Sequence, residues 1–407
     1  MYGPKLVPDG IEGPVAALGP GPLEEPSLIR HIHPLFSRVL QRQEIYLANH
    51  SLGRPLDQTA ADVQQALDQW YEKMNEAWDD WLAEIQVFRK SIARLIQATR
   101  EDCIVPKTSA GQGLRTVLNC YDEKIKVVTT TAEFSSIDHI LKVYAERDRV
   151  QLMCVGPDGH GEYQEKDMLG AVGPSTSLVV VSMVLFTTGQ CLTDLAQLIR
   201  DIQARGAHVL VDLYHAVGVM PVDMEALGAD FAIGGCYKYL RGGPGACWLY
   251  VHPRHLTGSL RSLDTGWFAQ PKPFEFLRPE LPQFAEGGNA FFESTPPILP
   301  FYQAKAGLAF TLALGVERLR AYSLKLQARL TELLAQHNIK PIGQPDRRGA
   351  FLAIADKSAD AIASQLRDLK IIVDARGGLI RICSDILTTD EELVEAVAKM
   401  AYIIRGK

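Results

Sequence analysis

The chain has 407 residues, length for two or three domains at roughly 150 residues each. Its 42 Lys and Arg stand against 48 Asp and Glu, and the net charge of −6 gives no electrostatic reason to expect nucleic acid or an anionic membrane as partner. Hydrophobic residues make up 47 %, too many for a disordered chain, yet no apolar run approaches the ~20 residues that cross a bilayer and no basic-then-apolar leader opens the sequence. A soluble, globular, cytoplasmic protein is expected. Cys103, Cys120, Cys154, Cys191, Cys236, Cys247 and Cys383 are scattered without clustering, so they read as free thiols in a reducing compartment and give no metal site.

Residues 1–26 hold five Gly and six Pro without apolar periodicity, which predicts an arm without regular structure, ending at residue 27. Order is expected from Leu28. From Asp57 to about Ala98 the apolar spacing (Val63, Leu67, Met74, then Trp81, Ile85, Phe88, Ile92) is helical, preceded by Pro55. Short apolar runs then alternate with helical segments. Strands are predicted at 104–105, 126–129, 150–155, 178–183, 208–212, 231–233 and 247–251. Helices are predicted after Thr108, over 136–147 and over 194–204. That alternation means crossover units and a mostly parallel sheet buried on both faces. A helical stretch over 298–336, strands at 351–355, 371–374 and 379–383, and helices over 358–369 and from 389 describe a smaller α+β unit. The expected division is a large α/β domain over 51–300 and a small one over 301–407, with 28–50 packed on the latter.

Four local features carry chemistry. Val209-Leu210-Val211-Asp212 is an apolar strand ending in a carboxylate, with His215 three positions on. In open α/β sheets ligands sit at the carboxyl ends of strands, although an aspartate there is equally a helix N-cap. Lys238 lies between Tyr237 and Tyr239 before the glycine-rich Gly242-Gly243-Pro244-Gly245, flanked by strands. Such a buried lysine is costly to keep charged and becomes a usable amine nucleophile. Thr108 to Gly113 leads into a helix whose free N–H groups suit a phosphate. Phe134, in Glu133-Phe134-Ser135-Ser136, can cover a flat ring, or simply belong to the core. A phosphate turn, an aromatic, a strand-end carboxylate and a buried amine are together what pyridoxal 5'-phosphate requires: Asp212 for the ring nitrogen and Lys238 for the aldehyde as a Schiff base. His31, His33, His252 and His255 read as loop histidines, and Trp70, Trp78 and Trp81 as packing residues, with Trp78 or Trp81 also placed to line a substrate pocket.

With these residues in view the sequence resembles the fold-type I, class V pyridoxal-phosphate enzymes, and within them most closely the kynureninases. The resemblance runs over Tyr46-Leu47-Ala48-Asn49-His50-Ser51-Leu52-Gly53, Ser182 to Gln190, Asp212 to Gly218, Cys236 to Leu240, Gly266-Trp267-Phe268 and Ser294 to Leu299. It implies a large domain with a mostly parallel sheet and a smaller α+β C-terminal domain. It further implies that Lys238 binds the cofactor and moves the Cα proton, that Asp212 pairs with the ring nitrogen, and that His215 lies at the ring's polar edge. Phe134 would pack on the ring and Ser182 line the site. Ser109, the amide of Ala110 and the Tyr237 hydroxyl would face the phosphate, with Tyr237 also relaying protons. Trp267 and Thr295 would arrive from the second subunit of a homodimer with shared sites. Arg381, with His50, would hold the substrate carboxylate. The implied reaction is hydrolysis of the Cβ–Cγ bond of kynurenine or a related amino acid. Ala110 stands where the family has a phosphate-binding Thr, Met74 to Trp81 replaces its histidine-bearing stretch, and Ser384-Asp385-Ile386-Leu387 replaces its P-L-Y element. Other class V outcomes therefore stay open: aminotransferase, epimerase, β-lyase, or a desulfurase using Cys383. So does a dimer that kept the fold only to bind ligand.

Overall fold

The computed structural model describes residues 6–406. In chain order the first strands are β1 (Ile45–Tyr46), β2 (Ile104–Lys107), β3 (Ile125–Thr130), β4 (Val150–Val155), β5 (Thr176–Ser182) and β6 (His208–Asp212). They are followed by β7 (Phe231–Gly235), β8 (Cys247–Val251), β9 (Leu352–Ala355), β10 (Ile371–Ile372), β11 (Asp374–Arg376) and β12 (Leu379–Ile382). Strands β2 to β8 form one seven-stranded sheet in the order β2-β8-β7-β6-β5-β3-β4. All its neighbours run parallel except β8, which is antiparallel to both β2 and β7. The runs Leu178–Val181 and Val209–Val211 are buried throughout because helices cover both faces of a crossover sheet. At the sheet's edge β4 instead leaves Met153 exposed.

The parallel strands end side by side. Ser182 is the register partner of Asp212, and Asp212 that of Ile233 two residues before β7 ends. The Cα positions that matter for chemistry are thereby collected at one sheet edge.

A second apolar core is assembled from both ends of the chain. Ile11, Val15, Leu28 and Phe36 pack with Phe310, Leu352, Ile380 and Leu393. Backbone pairing stitches the ends together: β1 runs parallel to β10, and Ala48 bridges Cys383. The arm predicted over 1–27 is therefore not without structure where it is described. Asp9–Ala16 is a helix that buries Ile11 and Val15, and Glu25–His31 is another that buries Leu28. Its glycines and prolines masked an i,i+4 apolar pair worth roughly 1.5–3 kcal/mol per side chain on burial. Pro8 and Pro26 sit at helix starts, where a missing N–H costs nothing. Residues 1–5 of that arm lie outside the described residues.

Two long helical stretches are each broken once. Gln58–Lys73 and Ala77–Leu95 are separated at Met74, whose φ is 49°. Leu299–Leu314 and Val316–Gln336 are separated at Gly315, where φ is 88°. Among the described residues no helix is long and apolar enough to cross a membrane.

Candidate active site

Lys238 follows β7 in a turn that the backbone closes tightly. The amide of Arg241 donates to the Lys238 carbonyl at 3.0 Å and that of Gly242 to Cys236 at 2.7 Å. Gly53 packs against the same turn: its amide donates to Tyr237 at 2.8 Å, and a Cβ on it would come within 1.9 Å of the Lys238 carbonyl oxygen. The lysine amine is thus carried on a fixed backbone, and its side chain is only 4 % exposed. Nζ lies 2.7 Å from Nε2 of His215 and 5.6 to 5.7 Å from the ring centres of Tyr214, Tyr237 and Phe134. Burial lowers the Lys238 ammonium from its ordinary range, the charges of Arg381 and Arg376 lower it further, and Asp212 opposes them. Burial likewise pushes the Asp212 carboxyl up, against the pull of the Tyr214 amide, which donates to its Oδ1 at 2.8 Å, and of Lys238. His215 is buried, held well below its usual range by burial and by Lys238, and its Nδ1 has no partner.

Beside this group runs a cavity of about 390 Å³ lined by Thr108, Ser109, Ala110, Gly111, Phe134, Tyr214 and Tyr237. Ser109 caps the helix Ala110–Leu118, accepting from the Gln112 amide at 3.1 Å, so the amides of the first turn face the cavity end with the positive pole of the helix. Arg115 and His139 line the same space. Ser109, Ala110, Phe134 and Tyr237 are therefore brought to one cavity adjoining Lys238.

Ser182, expected to line the site, is tied to Glu133. Its hydroxyl donates to Glu133 Oε2 at 2.5 Å, and its amide to Oε1 at 3.2 Å, while Thr130 Oγ1 lies 2.7 Å from that same oxygen. Glu133 is wholly buried, and burial pushes its carboxyl up to about 7, with the Asp212 charge adding. Reasoning from sequence passed over this residue for its neighbour Phe134, although a carboxylate three positions past the end of a buried strand was a signal in itself.

At the opposite end, Arg381 on β12 is 1 % exposed. Its Nη1 donates to the Phe186 carbonyl at 2.6 Å, Nη2 donates to Asp374, and Nε has no partner. Its guanidinium lies 4.7 Å from the Phe186 ring centre. His50 is fully buried, stacked on Phe351 at 4.7 Å, with Nε2 3.4 Å from Asp374 and neither ring nitrogen hydrogen-bonded. Asp374, also passed over, sits directly across the antiparallel β11–β12 pair from Arg381. Gly377-Gly378, both at positive φ, form the turn, and a Gly-Gly hairpin was legible in the sequence.

Trp267 and Thr295 pair with each other, Nε1 to Oγ1 at 3.1 Å, and border other hollows, not the cavity next to Lys238. Cys383 is buried with its thiol 3.2 Å from the Ala350 carbonyl, and burial pushes it up to about 12. His255, read as a loop histidine, is buried 2.7 Å from Asp230, with His208 nearby. That carboxylate already accepts from Arg254, Gln203 and the Val209 amide, so its oxygens are taken.

These residues fit pyridoxal phosphate: a helix N-terminus and hydroxyls for the phosphate, a buried amine for the aldehyde, a strand-end carboxylate for the ring nitrogen, and an unpartnered buried His215 Nδ1 beside them. The profile of the family described as aminotransferase class-V matches residues 56–397. The chain is 27 % identical to a kynureninase of Bacillus thuringiensis subsp. konkukian over 389 residues, 89 % of each chain. It is 30 % identical to a kynureninase of Xanthomonas campestris pv. campestris over 336 residues, 77 % of this chain and 78 % of the relative. Among solved structures it is similar to the apo cysteine desulfurase of Thermococcus onnurineus, with a TM-score of 0.78 and 20 % identity over 91 % of this chain and 96 % of that one. It is also similar to the cystine C–S lyase C-DES in complex with cysteine persulfide, with a TM-score of 0.79 and 20 % identity over 90 % and 99 %. The chain belongs to the class-V aminotransferase family of fold-type I, pyridoxal-phosphate-dependent enzymes.

Proposed function

We propose that this protein is a kynureninase-like hydrolase that cleaves the Cβ–Cγ bond of kynurenine or a related α-amino acid, working as a homodimer whose subunits share their sites. The carrying observation is the buried Lys238 amine held against His215, with Asp212 at the neighbouring strand end and Arg381 on the far side. The likeness to kynureninases over most of both chains supports the same reading.

When bound, pyridoxal phosphate supplies an electron sink for the charge left at Cα. The protein's residues do the rest. Asp212 keeps a proton on the ring nitrogen. Lys238, its ammonium lowered by burial toward neutrality, takes the Cα proton as the neutral amine, with His215 Nε2 aligning Nζ. Arg381 and His50 orient the α-carboxylate. Phe134, Tyr214 and Tyr237 keep water from the amine.

A desulfurase outcome needs an accessible thiolate, and Cys383 is a buried thiol held far above neutrality. A different class V reaction on another amino acid is the second reading, and it is favoured by the Ser384–Leu387 segment. There Asp385 is tied to both Arg54 and Arg241, so the stretch is braced as an ion cluster rather than offered to substrate. Purified protein loaded with pyridoxal phosphate and incubated with L-kynurenine should yield an aromatic acid and alanine in equal amounts by mass spectrometry. Turnover of other amino acids with kynurenine left intact would replace the first reading with the second.

A further inference from the structure

Arg381, Arg376 and the Asp374 carboxylate they share carry one more positive than negative charge, and that count bears on the substrate. Asp374 accepts from Arg381 and, at 2.8 Å, from Ser51 Oγ, while Nε of Arg376 lies 3.3 Å from the same carboxylate. Both guanidiniums sit over Phe186, at 4.7 and 5.9 Å from its ring centre, and that ring is 6.0 Å from His215. His50 adds no charge near neutral pH, since burial holds its imidazole down to about 4. Two arginines and one aspartate leave a surplus of one cation. The Nε of Arg381 and Nδ1 of His50, on side chains no more than 1 % exposed, have no hydrogen-bond partner, which marks a place built for a polar group from outside the chain.

We propose that Asp374 is a specificity-determining residue that sets the charge the site accepts, so that the substrate is an α-amino acid with a single carboxylate and an uncharged side chain. This rests on the reading that Arg381 takes the α-carboxylate. One carboxylate brings the cluster to neutrality. A second, as in aspartate, finds no uncompensated guanidinium in this cluster and is repelled by the charge of Asp374. Asp374 thus works as a built-in rejection of dicarboxylic amino acids.

The test titrates the cofactor-loaded enzyme with L-alanine and L-aspartate, following the visible cofactor absorbance to obtain each Kd. The unaltered protein should favour alanine. Asp374→Asn, which keeps the shape and an acceptor for Arg381, should narrow that preference by roughly tenfold or more, as expected for removing one unit charge a few ångströms away. Arg376→Gln, at a largely exposed side chain, should widen it. If Asp374→Asn does not hold its cofactor, the opposite shift in Arg376→Gln still decides. An unchanged ratio in the variants that hold cofactor, or shifts of the same sign, would overturn the proposal. Arg381→Gln separates it from the reading beneath: if alanine binds that variant as well as the unaltered protein, Arg381 is not the carboxylate site, whatever Asp374 does.

Discussion

Replacing Gly53 by alanine should damage the active site without changing any side chain that meets substrate. The added Cβ would lie 1.9 Å from the Lys238 carbonyl oxygen, 3.0 Å from its carbonyl carbon and 3.3 Å from Arg241 Cα. All three are backbone atoms, so no side chain can swing away. An ordinary carbon–oxygen contact needs more than an ångström of extra room, and the Gly53 amide is itself bonded to Tyr237. Overpacking of this kind costs about 1–3 kcal/mol of stability. A shift of about 1 Å at the group that moves the proton costs on the order of 100-fold in rate. Denaturant unfolding gives the first quantity. The rate constant for loss of the Cα deuteron from a labelled amino acid on the loaded enzyme gives the second. Should Gly53→Ala keep both the midpoint and the exchange rate of the unaltered protein, the claim that this turn positions the amine is wrong.

Three further outcomes are expected. Lys238→Ala should abolish turnover together with the visible absorbance of the lysine-bound cofactor, and a variant retaining both would refute the assignment. Mixing Lys238→Ala subunits with Trp267→Ala subunits should restore part of the activity each lacks alone if Trp267 serves the partner's site, and no recovery after subunit exchange is shown would argue against shared sites. Glu133 is held protonated by burial, its carboxyl moved from 4.5 to about 7, so its contribution to stability is complete below the unfolded value and is lost as the pH rises through 7. Cofactor-free Glu133→Gln should therefore be free of a decline of about 3 kcal/mol that the unaltered protein shows between those two pH values, and equal slopes in urea unfolding would dismiss the buried carboxyl as its source.

How far the sequence carried depended on how local each feature was. Strands β4, β6 and β8 fall at the predicted positions because each is a short apolar run bounded by turns, and Asp212 and Lys238 are read from their place at the ends of such runs. The N-terminal helix was missed because its apolar pair, Ile11 and Val15, is satisfied by residues from the far end of the chain, and nothing nearby signals that. Glu133 was overlooked for a related reason. What makes it notable is its burial against Ser182 on another strand, a relation of register rather than of spacing. Asp374 differs: its Gly-Gly hairpin was visible, but a cross-strand pairing acquires meaning only once Arg381 is known to be buried.

The two halves of the site are held by different kinds of contact. Asp212, Ser182 and Lys238 are fixed by adjacent strands of one parallel sheet, whose register would flip every side chain if it slipped. Changes there are expensive. His50 and Arg381 meet because two-residue β1 pairs with β10 and because Cys383 donates its amide to Leu47 at 2.7 Å. That junction sets charges beside its apolar core: Asp374 between Arg381 and Arg376, and Asp385 between Arg54 and Arg241. A charge cluster can be altered one residue at a time, whereas a sheet register cannot. On the reading that Arg381 takes the substrate carboxylate, a change of specificity is therefore expected among the charges around it, while the strand ends that carry Asp212 and Lys238 stay fixed.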